Sequence, residues 1–330
     1  MANLLDTSSR TYDVSMVVPF FNEVENLQQA YDEITAAMKG VDATYEIVFV
    51  DDGSSDGSSK LIEDLAKSDD RVKLVQFSRN FGQTAAMAAG FHYATGRVYI
   101  AMDADNQNDP ADIPQLLKKM EEGYDVVSGW RKDRKDKLIT RRIPSMIANK
   151  LISVLTGVRL NDYGCSLKAY RAEYVDAIEL YGEMHRFIPA FAHMAGADVV
   201  EIPVNHRPRT RGTSKYGLIR IFKVLIDLIT VKFLSGYATK PGYLFGGLGV
   251  SLCSVGFLCG VVVLIQKFFF DVWVHRNPLI MLAIFLFTLG VQSFLMGLIA
   301  ELLTRTYHES QKKRIYLVKK TLNVKGSSPL

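Results

Sequence analysis

Val98-Tyr99-Ile100-Ala101-Met102-Asp103-Ala104-Asp105-Asn106-Gln107 is the stretch on which the reading of this chain turns. Five apolar residues in a row have the length of a buried strand, and the sudden change to carboxylates marks its carboxyl end. Two carboxylates two residues apart at such a point suit a hard divalent cation, Mg2+ or Mn2+, whose other positions are filled by phosphate oxygens. A lone acidic turn is more often a solvated loop, so the surroundings have to decide.

Upstream, residues 14–19, 45–50 and 72–77 are further short apolar runs, and 24–38, 58–67 and 84–95 are helix-like segments between them. Alternation of this kind predicts an α/β fold, a mostly parallel Rossmann-like sheet with helices on its faces. Ligands of such sheets bind beyond the carboxyl ends of the strands. The second strand also ends in an acidic turn, Asp51-Asp52-Gly53-Ser54-Ser55-Asp56-Gly57, followed by Ser58 as a candidate helix cap. Two acidic turns on one rim point to a site that holds a metal-diphosphate.

The C-terminal third has another character. Residues 243–265 and 278–300 each run about 23 positions without Asp, Glu, Lys or Arg, enough at the helical rise to span a bilayer core. Their connection, 266–277, carries only Lys267 and Arg276 as firm positive charges, whereas the chain after Glu301 carries Arg305, Lys312, Lys313, Arg314, Lys319, Lys320 and Lys325. The positive-inside rule then predicts a membrane hairpin with both termini in the cytoplasm, and the resemblance described below implies a bacterial inner membrane. Gly242, Gly246, Gly256 and Gly260 recur at small-xxx-small spacing, which favours close helix packing and homo-oligomers, a tetramer among them.

The remaining bounds are mostly exclusions. A chain of 330 residues is long enough for about two domains. Its net charge of +4 is too slight to call for a nucleic-acid partner. Cys165, Cys253 and Cys259 form no paired framework, which fits a reducing compartment, and the six histidines lack zinc-ligand spacing. Residues 1–13 are polar and read as no signal peptide.

Val17-Val18-Pro19-Phe20-Phe21-Asn22-Glu23, the turn 51–57, Arg79-Asn80-Phe81-Gly82 and the run 103–109 together resemble family 2 glycosyltransferases of GT-A fold. More narrowly, they resemble the polyprenyl-phosphate sugar synthases, the dolichol-phosphate-mannose synthase group. Nearest in build are its bacterial members with a two-helix membrane hairpin, which move glucose or a modified arabinose to undecaprenyl phosphate. The resemblance implies a cytoplasmic GT-A domain over 1–217, an interfacial segment over 218–240, transmembrane helices within 241–305 and a basic cytoplasmic tail over 306–330. It implies that Pro19, Asn22, Glu23, Asp51 and Asp52 hold the base and ribose of a nucleotide-sugar. Asp103 would border the nucleotide, and Asp103, Asp105 and Gln107 would meet the metal and donor diphosphate. Asn106 stands where relatives often carry Leu. Arg131 would contact donor phosphate.

Arg209-Thr210-Arg211-Gly212-Thr213-Ser214-Lys215 has the family's R-x-x-G-x-S-K form, suited to phosphate recognition. Arg209, Arg211, Ser214 and Lys215, with Arg141 and Arg142, are expected at the phosphate of the polyprenyl acceptor. Two segments are amphipathic at helical spacing. Arg142, Ser145 and Asn149 lie opposite Ile143, Met146, Ile147, Leu151 and Leu155, and Arg220, Lys223 and Asp227 lie opposite Ile221, Phe222, Leu225, Ile226 and Ile229. Each follows a basic cluster, and a juxtamembrane Lys or Arg gains about 1 kcal/mol near an anionic leaflet, so both are expected as interfacial helices.

The implied reaction is an inverting transfer, with Asp105, Arg131 and Asp162 as its catalytic groups. A phosphate acceptor is already ionised and has little need of a base. Asp162, in Asn161-Asp162-Tyr163-Gly164-Cys165, matches a position that relatives place near the reacting centre, and the resemblance makes it a candidate base or an acceptor-side organiser. UDP-glucose is the first expected donor, with GDP-mannose and UDP-4-deoxy-4-formamido-arabinose as alternatives. Two readings from other classes compete. Gly53-Ser54-Ser55-Asp56-Gly57 satisfies the G-x-S-x-G pattern of a serine hydrolase with Ser55 as nucleophile, and a non-enzymatic membrane adaptor predicts no metal-dependent nucleotide binding.

Overall fold

A computed structural model describes residues 10–132, 149–150, 152–153, 156–178, 180, 184–208, 241–270, 272–310 and 316–324. The chain divides into two compact units, Met1–Leu228 with Arg314–Leu330, and Ile229–Lys313.

The first unit alternates as its apolar runs dictate. Strand β1 (Tyr12–Phe20), helix α1 (Val24–Met38), β2 (Tyr45–Asp51), α2 (Ser58–Ser68), β3 (Val72–Phe77), α3 (Gln83–Tyr93) and β4 (Gly96–Ala101) follow one another. After them come α4 (Ile113–Glu121), β5 (Val126–Trp130), β6 (Lys168–Arg171), α5 (Ala172–Asp176), α6 (Ile188–Met194) and β7 (Val199–Pro203). The sheet has the order β7-β5-β6-β4-β1-β2-β3-β8. Every residue of β2 is buried, and so are Val14 to Phe20 of β1, because helices cover both faces of this parallel centre. Leu27, Ile34 and Met38 of α1 and Ile62 of α2 pack into the core beside Phe49 and Leu74.

Glu46, near the start of β2, is fully buried and closes a salt bridge with Lys73 of β3. Ser15 Oγ and the Thr95 N–H donate to it, each at 2.6 Å. This polar knot lies at the amino ends of the strands, away from both acidic turns.

Parallel ladders join β4-β1-β2-β3 and β5-β7, whereas β6 runs antiparallel between β4 and β5. The sheet is therefore more mixed than the alternation alone predicts. Strand β8 (Val318–Leu322) lies in the segment expected to be a basic tail. It runs antiparallel along β3, pairing Val318 with Phe77 and Leu322 with Leu74. An open edge at β3 offers unpaired N–H and C=O groups, and this supplies what the charged sequence Val-Lys-Lys-Thr-Leu does not signal by itself. Lys320 pairs with Glu63 at 2.8 Å, and Asn323 Nδ2 donates to Ala66 O at 2.6 Å and Val72 O at 2.9 Å.

The second unit is a hairpin of α7 (Pro241–Phe270) and α8 (Pro278–Ser310). Within it Phe245–Phe270 and Pro278–Ala300 are long and apolar enough to cross a membrane, with mean hydropathies of 2.5 and 2.3. Only 17% and 11% of their most apolar windows are buried, unlike the core helices of a soluble protein. Asn277 ends the turn, accepting from Leu279 N at 3.1 Å and donating to Gln266, with Pro278 opening α8 where its missing N–H costs nothing. The helices approach closely at Gly249, Gly256 and Gly290: a Cβ on Gly249 would stand 2.7 Å from Gly290 O, and one on Gly256 2.9 Å from Ala283 O. Of the glycines expected to pack, Gly256 does so, Gly246 reaches only the Phe294 ring, and Gly260 has nothing within 4 Å.

Candidate active site

Strand order locates the site. The chain lays β2 and β3 on one side of β1 and then returns to lay β4 on the other, so adjacent connections diverge between β1 and β4. A crevice opens at the carboxyl ends of strands where the order reverses in this way. Phe20 is in register with Asp51, and Val17 with Ala101, so the two acidic turns flank the end of β1.

The first turn is held from within. Asp51 is fully buried, and its carboxylate accepts from Ser54 N at 2.8 Å and from the Ser59 hydroxyl. Asn22, just past Pro19 and the end of β1, has φ 55°, a left-handed conformation that Asn tolerates better than most residues. Its backbone N–H donates to Ser54 Oγ at 2.9 Å, and its side-chain oxygen accepts from Ser55 N at 2.8 Å. Glu23 N donates to Ser58 Oγ at 3.0 Å, and its carboxylate accepts from Asn26 Nδ2 at 2.6 Å. Of the residues expected at the nucleotide, Asp51 and Asn22 thus shape the turn with the groups named here.

Asp52 takes its partners from a different loop. Its carboxylate accepts from Phe81 N at 2.6 Å and Gly82 N at 3.0 Å. Burial pushes its pKa up, and the two amides oppose that shift. Gly53 has φ 78°, and a Cβ there would lie 2.6 Å from the carbonyl carbon of Arg79, so only glycine lets the turn and the Arg79-Asn80-Phe81-Gly82 loop close together.

On the other side of β1, Met102 N donates to Val17 O at 3.1 Å and carries the chain straight into Asp103. Asp103 Oδ1 accepts from Gln83 Nε2 at 2.7 Å. Burial first, and the Asp105 carboxylate second, push Asp103 up to about 6 against the pull of Ser166, Arg131 and Arg186. Asp105 Oδ1 accepts from Gln107 N at 3.2 Å, which closes a tight turn around Asn106. Asn106 has φ 56° and donates from Nδ2 to Asn26 O at 3.2 Å. Its departure from Leu therefore has a local reason: Asn suits the left-handed position and ties the turn to α1.

Arg131, directly after β5, forms a bidentate pair with Asp162, Nε to Oδ2 at 2.7 Å and Nη2 to Oδ1 at 2.9 Å. Asp162 also accepts from Gly164 N at 3.1 Å, and its own N–H donates to Glu201 at 2.9 Å. A Cβ on Gly164 would stand 3.2 Å from Arg131 Nη2, so the glycine leaves room for the guanidinium. The pair neutralises Asp162, an arrangement that suits an organiser better than a proton acceptor. Nearby Lys168 is buried and donates to Tyr163 O at 3.0 Å, and burial lowers it to about 8. Burial likewise raises the Cys165 thiol to about 11, which keeps it an inert thiol.

The chain after β7 is sewn to the turn that follows β4. Arg207 N donates to Gln107 O at 2.8 Å, and Asn108 bridges to His206. The Arg207 guanidinium spans Glu33 at 2.6 Å and Asp109 at 2.7 Å. Asn205 donates to Asp112 from its backbone at 2.6 Å and from Nδ2 at 2.9 Å.

Arg141, Arg142, Arg209, Arg211, Ser214 and Lys215, expected at the acceptor phosphate, lie outside the described residues, as does the amphipathic segment 220–229. Of 142–155, only Asn149, Lys150, Ile152 and Ser153 are described. The sequence reading placed the turns that carry Asp52, Asp103, Asp105 and Gln107 on one strand rim and assigned Arg131 and Asp162 to the same site, where the structure pairs those two with each other. It missed Gln83, Ser166, Arg186 and Arg207, whose partners are distant in sequence, although Gln83 directly follows the Arg79–Gly82 motif.

Comparison with known proteins gives four findings. The model of the family Glycosyl transferase family 2 matches residues 15–179. Dodecaprenyl-phosphate galacturonate synthase of Rhizobium johnstonii is 40% identical over 314 residues, 94% of this chain and 93% of that protein. Undecaprenyl-phosphate 4-deoxy-4-formamido-L-arabinose transferase of Proteus mirabilis is 35% identical over 97% of both chains. Among solved structures, glucosyl-3-phosphoglycerate synthase from Mycobacterium tuberculosis, in complex with Mn2+, UDP and phosphoglyceric acid, superposes with a TM-score of 0.52 at 17% identity. That superposition covers 70% of this chain and 80% of the other, a likeness of fold.

Proposed function

This chain belongs to glycosyl transferase family 2, and we propose that it transfers a sugar from a nucleotide-sugar to a polyprenyl phosphate at the cytoplasmic face of a membrane. The observation that carries the reading is the pair of acidic turns flanking the end of β1 where the strand order reverses. The names of the two relatives, at 40% and 35% identity along almost the whole chain, supply the acceptor class. They also favour a different order of donors. One relative is named for galacturonate and the other for 4-deoxy-4-formamido-L-arabinose, so UDP-activated forms of these sugars come before UDP-glucose and GDP-mannose.

The donor set at the rim fits a divalent cation. Among the described residues no group of three or more His, Cys, Asp or Glu forms a closed metal cage. A hard cation that shares its shell with a diphosphate needs only one or two carboxylates, which Asp105 and Asp103 provide, with the Gln107 amide beside them. The related fold with bound Mn2+ and UDP favours the same chemistry. When bound there, the cation supplies charge neutralisation for the departing diphosphate.

The protein's own groups do the rest. Asp52, fixed by the Phe81 and Gly82 amides, faces the nucleoside. Arg131, aligned by Asp162, adds positive charge at the donor phosphates. The acceptor phosphate attacks as an anion, so Asp162 acts as organiser and not as base. Family membership displaces the serine-hydrolase reading, and the Ser55 N–H is used to hold Asn22. We expect Asp105→Ala to lower kcat at least about a hundredfold, and Ser55→Ala to change it less than about threefold.

Chain connectivity supports the membrane arrangement. β8 follows α8 in the chain yet joins the sheet that precedes α7, an order that favours a hairpin with both of its ends on one side of the bilayer. The basic residues flanking the hairpin favour the cytoplasm as that side.

The decisive experiment incubates membranes containing this protein with labelled UDP-galacturonate, UDP-4-deoxy-4-formamido-arabinose, UDP-glucose and GDP-mannose, together with undecaprenyl phosphate. Label that extracts into organic solvent with one donor is the expected result. No transfer with any of them, while a control synthase works, refutes the assignment.

A further inference from the structure

A row of rings leads from the segment that follows the hairpin to the donor rim. Tyr316 stacks on Phe77 with centroids 5.1 Å apart and planes inclined by 17°. Phe77, 1% exposed, meets Phe81 edge to face at 5.6 Å and 87°. The Arg79 guanidinium lies 4.4 Å over the other partner of this pair, Phe81. A backbone bond runs alongside, with Ser78 N donating to Leu317 O at 3.1 Å. At the far end of the row, the N–H groups of Phe81 and Gly82 hold the Asp52 carboxylate. All these residues belong to the first compact unit.

The loop needs such support. Ser78, Arg79 and Asn80 are exposed, and Gly53 faces the backbone of Arg79 and Asn80 with no side chain to brace it. Asp52 itself is buried, and a buried carboxylate that loses an N–H donor loses its preferred position along with the bond. Stacking at Phe77 restricts the ring beneath Phe81, and the edge-to-face contact passes that restriction to the residue whose amide Asp52 uses.

We infer that Tyr316 is a positioning residue of the donor site: through Phe77 and Phe81 it holds the Arg79–Gly82 loop in the conformation that fixes Asp52 for the nucleoside. This rests on the reading of Asp52 as a nucleotide-binding residue. It follows that the donor site is finished by chain lying beyond both membrane helices in sequence, so nucleotide affinity depends on the docking of β8. No composition or motif signals this, because Tyr316 lies in what reads as a basic tail.

The test uses the full-length protein in detergent or nanodiscs, titrated calorimetrically with UDP and then GDP in the presence of Mn2+. Tyr316→Ala is expected to weaken binding about three- to tenfold, the range that one aromatic pair supports. The donor KM should rise by the same factor with kcat within about twofold, because an interaction lost from ground and transition states alike moves KM alone. Tyr316→Phe, which keeps the ring, should bind as the wild type does. Hydrogen exchange should quicken at the Phe81 and Gly82 amides of Tyr316→Ala and stay unchanged in β1 and β2. Should Tyr316→Ala fail to fold, Tyr316→Leu keeps apolar bulk without the stack and carries the same expectation. Wild-type affinity in the Ala or Leu variant overturns the inference, as does an equal loss in Tyr316→Phe or a fall confined to kcat. A wild-type protein that binds neither nucleotide overturns the reading of Asp52 and the inference with it, an outcome distinct from the others because it needs no variant.

Discussion

Arg131 and Asp162 show how much one side chain's role depends on its neighbour. In sequence Asp162 is a carboxylate after Asn161, equally suited to a turn, a base or an anchor. In the folded protein two hydrogen bonds tie it to one guanidinium. A pair that works as a unit gives non-additive effects. We expect Asp162→Asn and Arg131→Ala each to lower kcat at least about tenfold, and the double variant to be no worse than the poorer single one. Multiplying losses in steady-state assays would show that Asp162 acts separately, as a base does. Asp69 offers a pH-dependent counterpart away from the site. Hydrogen bonds from Arg71, with help from Tyr31, hold it near 2 against an ordinary 3.8. A depressed carboxylate contributes stability above its unfolded pKa and loses that contribution as pH falls through its folded one. Asp69→Asn should therefore lower the urea midpoint at neutral pH, and the deficit should shrink as pH falls from 3.8 towards about 2. A deficit constant through that window would show that the charge is not what stabilises. Asn106 carries the residue-scale lesson on legibility. Its departure from Leu was plain in the sequence, but the left-handed backbone that explains it depends on the turn between Asp105 and Gln107.

At the scale of elements, the alternating first part of the chain was readable because strands buried on both faces are continuous apolar runs. Short β6 and charged β8 were not readable. Each pairs with a strand far away in sequence, β6 with β4 and β8 with β3, so only the assembled edge specifies it. The strap formed by residues 205–207 is a similar case. Arg207 joins α1 through Glu33 to the turn through Asp109, while its backbone holds Gln107. It also immediately precedes the Arg209–Lys215 run proposed for the acceptor phosphate. We expect Arg207→Ala to raise the KM for polyprenyl phosphate at least about threefold while changing that for the nucleotide-sugar less than twofold. Equal changes for both substrates in initial-rate assays would mean that the strap serves the fold generally.

For the whole molecule, the membrane hairpin and the catalytic sheet are linked by chain order. The sheet receives strands from before and after the hairpin, and the proposed topology accordingly puts both ends of the hairpin on one side of the bilayer. Single cysteines placed at Val274 and at Thr321, in a background lacking Cys253 and Cys259, should report this in intact cells. A membrane-impermeant maleimide is expected to label position 274 in the turn and to spare position 321 until the cells are opened. Labelling of both or of neither from outside would rule the arrangement out.

The sequence alone determined the alternating α/β core, the two long apolar helices and the acidic turns at the strand ends, because each is a local pattern of hydrophobicity or charge. Tertiary structure decided which carboxylates share a rim, that Arg131 claims Asp162, that Asn22 and Asp51 brace their own loop, and that the basic tail returns as a strand. Those outcomes depend on contacts between residues far apart in the chain, and such contacts exist only once the sheet has brought them within hydrogen-bonding reach.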